Sequence, residues 1–171
     1  MNVLTINKTL LFVIVLVTPW IVSIAGKTID PTWKIYYTSS DGNIVTPYRT
    51  NVFGVNIVNN TYQDGQGVIT FDGPVTSIGD YAFQYCSSLT TITIPEGVTS
   101  IGNYAFDNCT ALKKVIIEDG STTLSLGYNS YYYSNGTGQG LFYDCPLVEV
   151  YLGRNLSYSS GSSYGYSPFY E

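Results

Sequence analysis

The sequence predicts a β-rich α/β solenoid: a ladder of short parallel strands, each backed by a one-turn helix, preceded by a small β-hairpin cap. Three observations predict it. Residues 75–97 (VTSIGDYAFQYCSSLTTITIPEG) and 98–120 (VTSIGNYAFDNCTALKKVIIEDG) are near-duplicates in direct succession, identical at 12 of 23 positions. Their apolar residues recur at fixed places: Val75, Ile78, Ala82, Phe83, Cys86 and Leu89 answer to Val98, Ile101, Ala105, Phe106, Cys109 and Leu112, and Ile92 and Ile94 to Val115 and Ile117. The composition is 44% hydrophobic and only 11% charged, with 17 Tyr among many Gly, Ser, Thr and Asn, which suits a folded β-rich chain with polar turns. One such unit cannot bury its apolar side alone, so neighbours must share a continuous core.

In chain order, the first element is a targeting segment. Lys8 precedes an apolar run over 9–26 that ends with the small residues Ser23 and Ala25. Residues 1–25 therefore read as a secretory signal cleaved after Ala25, with an uncleaved membrane anchor as the rival reading because the run is near bilayer length. Cleavage removes one cation and moves the net charge from -5 (7 minus 12) to -6 (6 minus 12). The acidic balance argues against nucleic acid as a partner, since too few cations are present to neutralise a row of phosphates.

Residues 26–74 read as a β-rich cap over the open apolar end of the ladder, with a separate binding module as the alternative. In TWKIYYTSSDGNIVTPY, Trp33, Ile35 and Tyr37 share one face before a turn at Asp41-Gly42, which reads as a β-hairpin. Residues 52–58 are a further strand candidate, and NNTYQDGQG reads as a turn. GVITFDG holds the first solenoid strand, near 68–72, because Ile69 and Phe71 lie 23 residues before Ile92 and Ile94.

Residues 75–171 form the repeat region. In each unit Ile92 and Ile94, or their equivalents, point inward while Thr91 and Thr93 point outward. Asp80 and Asn103 suit the start of a short helical turn, whose inner face holds Ala82, Phe83 and Cys86. Gly79 and Gly102 allow a tight turn before it. Downstream, TTLSLG and GLFYDCPLVEVYLG are the two halves of a third unit, separated by a Tyr/Gly insert at 128–140. There Phe142, Cys145, Leu147, Val150 and Leu152 take the core places. A fourth unit begins at Leu156, and Phe169 answers to Phe142. That last repeat is incomplete, which reads as a fragment of a longer repeat protein or as a stack without a proper terminal cap.

The motif IG-x-x-AF-x-x-C-x-x-L-x-x-I-x-I-P, at about residues 68–153 and more weakly to 171, resembles the BspA-like leucine-rich repeat family of bacterial surface and secreted proteins. The resemblance implies a right-handed leucine-rich repeat solenoid, export to the exterior or the cell surface, and an adhesin-like role in binding host or microbial surface proteins. The Tyr/Gly insert and the early end depart from the family pattern.

The chemistry is that of a binding module rather than an enzyme. The chain has no His, which removes the usual general base, the Ser-His and Cys-His nucleophile systems and the commonest zinc ligand. A carboxylate pair could still hydrolyse a glycoside. The acids Asp80, Asp107, Glu118, Asp119, Asp144 and Glu149 are scattered, mostly at turns or outer positions. Cys86, Cys109 and Cys145 share one repeat position, an inward slot where a free thiol packs as a small hydrophobe. Their parallel side chains and odd number disfavour a bridge, and their spacing does not suit a metal cluster. No cofactor is implied.

The contact candidates form two sets. Tyr128, Tyr131, Tyr132 and Tyr133 crowd the insert, and tyrosine offers large area with few rotors and a polar tip. A solvent-facing low-complexity loop is the competing reading. The outward strand positions Thr91, Thr93, Lys114, Ile116, Glu149 and Tyr151 would line the concave side, where Ile116 is an unforced apolar exposure. The alternatives to protein binding are glycan binding on Tyr platforms and a purely structural spacer in a longer surface protein.

Overall fold

The computed structural model describes residues 22–24, 27–29, 33–127, 141–158 and 168–169, with only the backbone described at 22–24 and 27–29. Residues 1–21 of the segment expected to be a secretory signal (1–25), and the insert with Tyr128, Tyr131, Tyr132 and Tyr133, lie outside the described residues.

Twelve strands are described. In chain order they are β1 (Val22–Ile24), β2 (Lys27–Ile29), β3 (Lys34–Ser39), β4 (Ile57–Gln63), β5 (Gln66–Phe71), β6 (Ser77–Ile78), β7 (Leu89–Ile94), β8 (Ser100–Ile101), β9 (Lys114–Ile117), β10 (Leu124–Leu126), β11 (Glu149–Leu152) and β12 (Leu156–Tyr158). β1 and β2 pair only with each other. The rest form a four-stranded sheet, β12-β10-β8-β6, and a six-stranded sheet, β11-β9-β7-β3-β5-β4.

Each repeat gives one strand to each sheet. The V-T-S-I-G half supplies β6, β8 and β10, joined parallel to one another and to β12. The L-x-x-I-x-I half supplies β7, β9 and β11, also parallel. Ile92 pairs with Val115 and Val115 with Val150, so the three stand in one column as the repeat requires. Ile92 and Val115 are fully buried. Val150 is half-buried, because β11 is the sheet edge, above a hollow of about 230 Å³ lined by Phe142, Leu147 and Phe169 among others.

Turns stand where the sequence reading placed one-turn helices, and the backbone hydrogen bonds show why. The N–H groups of Tyr81, Phe83 and Tyr85 donate to the carbonyls of Asn103, Ala105 and Asp107 in the next repeat. Those of Ala82, Gln84 and Cys86 donate three residues back, to Gly79, Tyr81 and Phe83. Past its first turn a helix sends each N–H back along its own segment, so alternate donation to the neighbour as far as Tyr85, with left-handed φ at Tyr81 and Tyr85, is a run of turns and not a helix. The left-handed φ of Tyr81 (63°), Tyr85 (60°), Tyr104 (57°), Asn108 (57°) and Asp144 (56°) bends the chain at equivalent places. Asp80 does not cap its own turn: its Oδ1 accepts the N–H of Asn103, its counterpart's position one repeat later, at 2.7 Å. Gly102 is required by proximity rather than by φ, since a Cβ there would fall on the backbone nitrogen of Asp80.

Inside the stack the aromatic column is continuous. Phe83, Phe106, Phe142 and Phe169 stack with centroid spacings of 5.5, 5.2 and 5.4 Å and interplanar angles of 15° or less. The three cysteines are free, buried thiols. Cys109 and Cys145 each donate Sγ–H to the carbonyl of the preceding unit's Phe, Phe83 and Phe106, at 3.0 Å. Burial pushes the Cys86 thiol up to about 11 and holds Cys109 well above the ordinary thiol range. Asp107, expected at an outer position, is fully buried and accepts Gln84 Nε2–H at 2.8 Å from the equivalent place one repeat back.

The cap departs most from expectation. β5, expected to open the parallel column, does not pair with β7. β3 lies between them, antiparallel to both. The hairpin closes at Asp64-Gly65, not at Asp41-Gly42, and NNTYQ is strand rather than turn. Asp64 (φ 51°) and Gly65 (φ 82°) are both left-handed, the geometry of a type I′ hairpin turn. At the other Asp-Gly, Asp41 Oδ1 instead accepts the Asn43 N–H at 3.0 Å, and the chain runs on rather than back. After β3 it follows the first repeat in reverse. Ser40 N–H donates to Ser88, the Cys86 thiol to Thr46, Arg49 N–H to Ala82 and Gly79 N–H to Val52. Residues 34–52 are thus an antiparallel rung laid along the first parallel one. Phe53 ends the Phe column edge-on to Phe83, at 5.9 Å and 69°.

Arg154 closes the strand ends. It is buried and donates to the carbonyls of Pro95 (2.9 Å) and Glu96 and to Thr122 Oγ1 (3.3 Å). It thereby ties the third unit to the first. Burial lowers its pKa while Glu96 and Glu118 act against that shift.

Candidate binding face

One face of the six-stranded sheet covers the core and the other is turned away from it. Because Ile92, Val115 and their neighbours point inward, the alternate residues define the outer face. Strand register arranges these into rows. One row runs Thr38, Thr91, Lys114, Glu149. The next runs Thr61, Val68, Tyr36, Thr93, Ile116, Tyr151 across all six strands. All six outward strand residues expected from the sequence therefore fall on one surface. Tyr36, Thr38, Val68 and Thr61 join them from the cap, which the sequence reading treated as a cover. The signal was present, since the alternation that sends Ile35 and Tyr37 inward sends Tyr36 and Thr38 outward. What was missing was β3's place next to β7.

The ionised members and the outermost tyrosine are already paired. Lys114 Nζ lies 2.7 Å from Glu149 Oε1. Tyr151 donates its hydroxyl to Asp119 Oδ1 at 2.9 Å, and that carboxylate raises the phenol pKa. The ring of Tyr151 is left in solvent with its tip fixed. Tyr36, Ile116 and Thr93 are half-buried along the same row. The face is thus a shallow aliphatic and aromatic band between Thr hydroxyls and one ion pair, suited to lying against an extended surface.

A second group lies at the turn side. Arg49 sits 4.6 Å from the Tyr81 ring centroid, and Tyr81 stacks on Tyr104 at 4.9 Å and 4°. Tyr48 and Tyr85 meet edge-on at 6.0 Å, 58% and 54% exposed. Sequence reasoning did not single these out, because they come together only where the reversed rung crosses the first repeat. Among the described residues no group of three Cys, Asp or Glu side chains stands together to hold a metal ion.

A family model, the BspA type leucine rich repeat region, matches residues 56–169 in six copies. Searches of curated proteins and of solved structures return no match. The family match takes in the β4–β5 hairpin as well as every parallel strand up to β12, two-thirds of the chain. With the repeat column, the Phe stack and the two sets of parallel strands already in place, the chain belongs to the BspA-type leucine-rich repeat family.

Proposed function

We propose that this chain is an exported, adhesin-like interaction module, a right-handed leucine-rich repeat solenoid with no enzymatic activity. It binds a host or microbial surface protein through the outer face of its six-stranded sheet. The observation that carries the reading is the row Tyr36, Thr93, Ile116, Tyr151, in register across four strands and not needed to fill the core. Aromatic and aliphatic side chains fixed on a rigid sheet lose little entropy on contact, and such groups concentrate binding energy. Export rests on the apolar segment at 9–26 and on the family's usual location.

The test is capture of matrix and cell-surface proteins by the immobilised chain. Binding should fall at least tenfold in Ile116→Ala with Tyr151→Ala while thermal unfolding is nearly unchanged. Equal binding by the double variant would remove this face from the proposal. Glycan binding is the second reading, favoured by the exposed Tyr48–Tyr85 corner. A glycan array on which the chain gives no signal removes it. Failure of both leaves a structural spacer.

A further inference from the structure

Among the described residues β4 forms the far edge of the six-stranded sheet. The backbone donors of β5 and the residue after it alternate in direction. Phe71 N–H bonds to Trp33 O on the β3 side and Asp72 N–H to Asn56 O on the β4 side, both at 3.0 Å. The even-numbered residues Gln66, Val68 and Thr70 therefore bond to β4, opposite Gln63, Thr61 and Asn59. By the alternation of an antiparallel ladder, the N–H and C=O groups of Asn60 and Tyr62 point away from the sheet. Among the described residues no strand pairs with β4 on that side. β4 is also the longest described strand and contains no Lys, Arg, Asp, Glu or Pro. Those residues are usual guards of an open edge, and the bulge between Ile57 and Asn59, another such guard, leaves residues 59–63 regular.

We infer that β4 pairs with β4 of a second copy of this chain, antiparallel, across a twofold axis at Thr61. The register follows from the ends of the strand. A bulge between Ile57 and Asn59 stops the regular run at one end, and the type I′ turn after Gln63 stops it at the other. Residues 59–63 remain, and their midpoint is Thr61. In this register Asn60 and Tyr62 of one copy exchange both backbone hydrogen bonds with Tyr62 and Asn60 of the other. Asn59 faces Gln63 on the outer side, amide to amide. An isologous contact sets a strand against itself, so any charge on it would meet its like; β4 has none. The side chains of Asn60 and Tyr62 are held in place on the inner side. Asn60 Oδ1 accepts the Tyr37 hydroxyl at 2.8 Å, and the Tyr62 ring lies 6.0 Å from that of Tyr37. The edge is thus presented ready-formed. The dimer would join two outer faces into one continuous sheet. Two weak contacts on a many-copy surface would then act together, with a gain on the order of 10²–10⁴ in avidity.

The test uses the full chain. Thr61 would meet its own copy as a non-hydrogen-bonded pair, with Cα atoms about 4.5 Å apart, within disulfide reach. Thr61→Cys should give a disulfide-linked dimer on mild oxidation. Val68→Cys, on the same face one strand further in, should give no disulfide-linked dimer, and the buried Cys86, Cys109 and Cys145 should stay silent. In sedimentation the unmodified chain should show a concentration-dependent dimer. Thr61→Lys should weaken it at least tenfold with an unchanged circular dichroism spectrum. Cross-linking equal at both positions, none at Thr61→Cys, or a monomer at every concentration would overturn the inference. So would an extended foreign peptide that binds this edge while no dimer forms.

Discussion

In the repeat stack each strand lies beside a copy of itself one unit on, Ile92 beside Val115 and Val115 beside Val150, all running the same way. In the cap, residues 34–52 lie along the first unit in the opposite direction, with Tyr36 against Thr93 and Val52 against Gly79. Both arrangements cover the same apolar side and satisfy the same backbone groups. The parallel unit, however, presents on its far side a surface identical in kind to the one it covers, so it calls for another unit. The reversed rung presents something different, and β5 and β4 complete it as an antiparallel sheet. A stack of identical units has no way of its own to stop, and reversal of the chain direction is how this one begins.

The largest expected effect comes from the middle of the stack. Phe106 lies between Phe83 and Phe142 and is fully buried. Phe106→Ala should cost about 3–5 kcal/mol, because a rigid column cannot close over the missing ring. Urea unfolding followed by circular dichroism measures it. A loss below about 1 kcal/mol would show that the column is loosely packed and that the units fold independently.

The cap should fail differently. Gly67 pairs with Tyr37, and a Cβ on Gly67 would fall inside the Tyr37 ring. That ring cannot swing away, because its hydroxyl donates to Asn60 Oδ1 and accepts the Val45 N–H at 3.2 Å, while Asn60 Nδ2 donates to Val45 O at 3.0 Å. Gly67→Ala should therefore cost about 1–3 kcal/mol by overpacking. Hydrogen exchange should show protection falling first over β3 to β5, with β9 and its neighbours following at higher denaturant. Simultaneous loss would mean that cap and stack form one cooperative unit.

These two residues also show what the sequence could reveal. Phe106 was legible because its environment repeats. Phe83 occupies the same place 23 residues earlier, and Phe142 stands 36 residues later, the same step lengthened by the 13-residue insert, so the period is visible in a single sequence. The Tyr37–Gly67–Asn60–Val45 group occurs once, and its members are brought together by a strand order that no local pattern encodes. The two Asp-Gly pairs show the same limit. Both favour a hairpin, but only Asp64-Gly65 joins strands that pair with each other, since β3 already has β5 and β7 on its two edges. The turns read as helices failed for a related reason: the i, i+1 and i+4 pattern of Ala82, Phe83 and Cys86 fits a helix, while the donors that break it go to another repeat. For the binding face, the period supplied Thr91, Thr93, Lys114, Ile116, Glu149 and Tyr151, whereas Tyr36 and Thr38 required the topology. Arg154 left no signal, because its carbonyl partners lie 58 and 59 residues earlier.

Alkaline pH should probe the seam between the two regions. Cys86 belongs to the stack, yet its thiol donates to Thr46 O of the cap. Burial raises its pKa from 9.0 to about 11 and also raises that of Tyr37. A raised pKa on an acid means that the folded state holds the proton longer. Stability from Cys86 is therefore complete below about pH 9 and declines as pH rises through 11, by about 1.4 kcal/mol per pH unit over that range. Cys86→Ala should lessen that slope in urea titrations at pH 8, 9 and 10. A slope unchanged by the substitution would place the alkaline loss elsewhere, with the Cys109 thiol and then the Tyr37 phenol as the next groups to test, by Cys109→Ala and Tyr37→Phe.

The smallest effect on folding separates the two uses of a strand, holding the stack and facing outward. Lys114 and Glu149 are joined at 2.7 Å, but their side chains are 37% and 57% exposed. Water and salt screen such a pair, and ordering two long side chains offsets much of the attraction, so Lys114→Ala should change stability by less than about 1 kcal/mol. Its effect on ligand capture should be larger than its effect on folding, because removing Lys114 frees a carboxylate in the row next to Ile116 and Tyr151. The informative comparison is Lys114→Ala against Lys114→Ala with Glu149→Ala. If the pair serves to keep a charge out of the contact, the double variant should bind nearly as well as the original and the single variant worse. If Lys114 itself touches the ligand, both variants should lose binding alike. If neither changes, the contact surface lies nearer the cap, where Tyr36→Ala would be the variant that lowers capture.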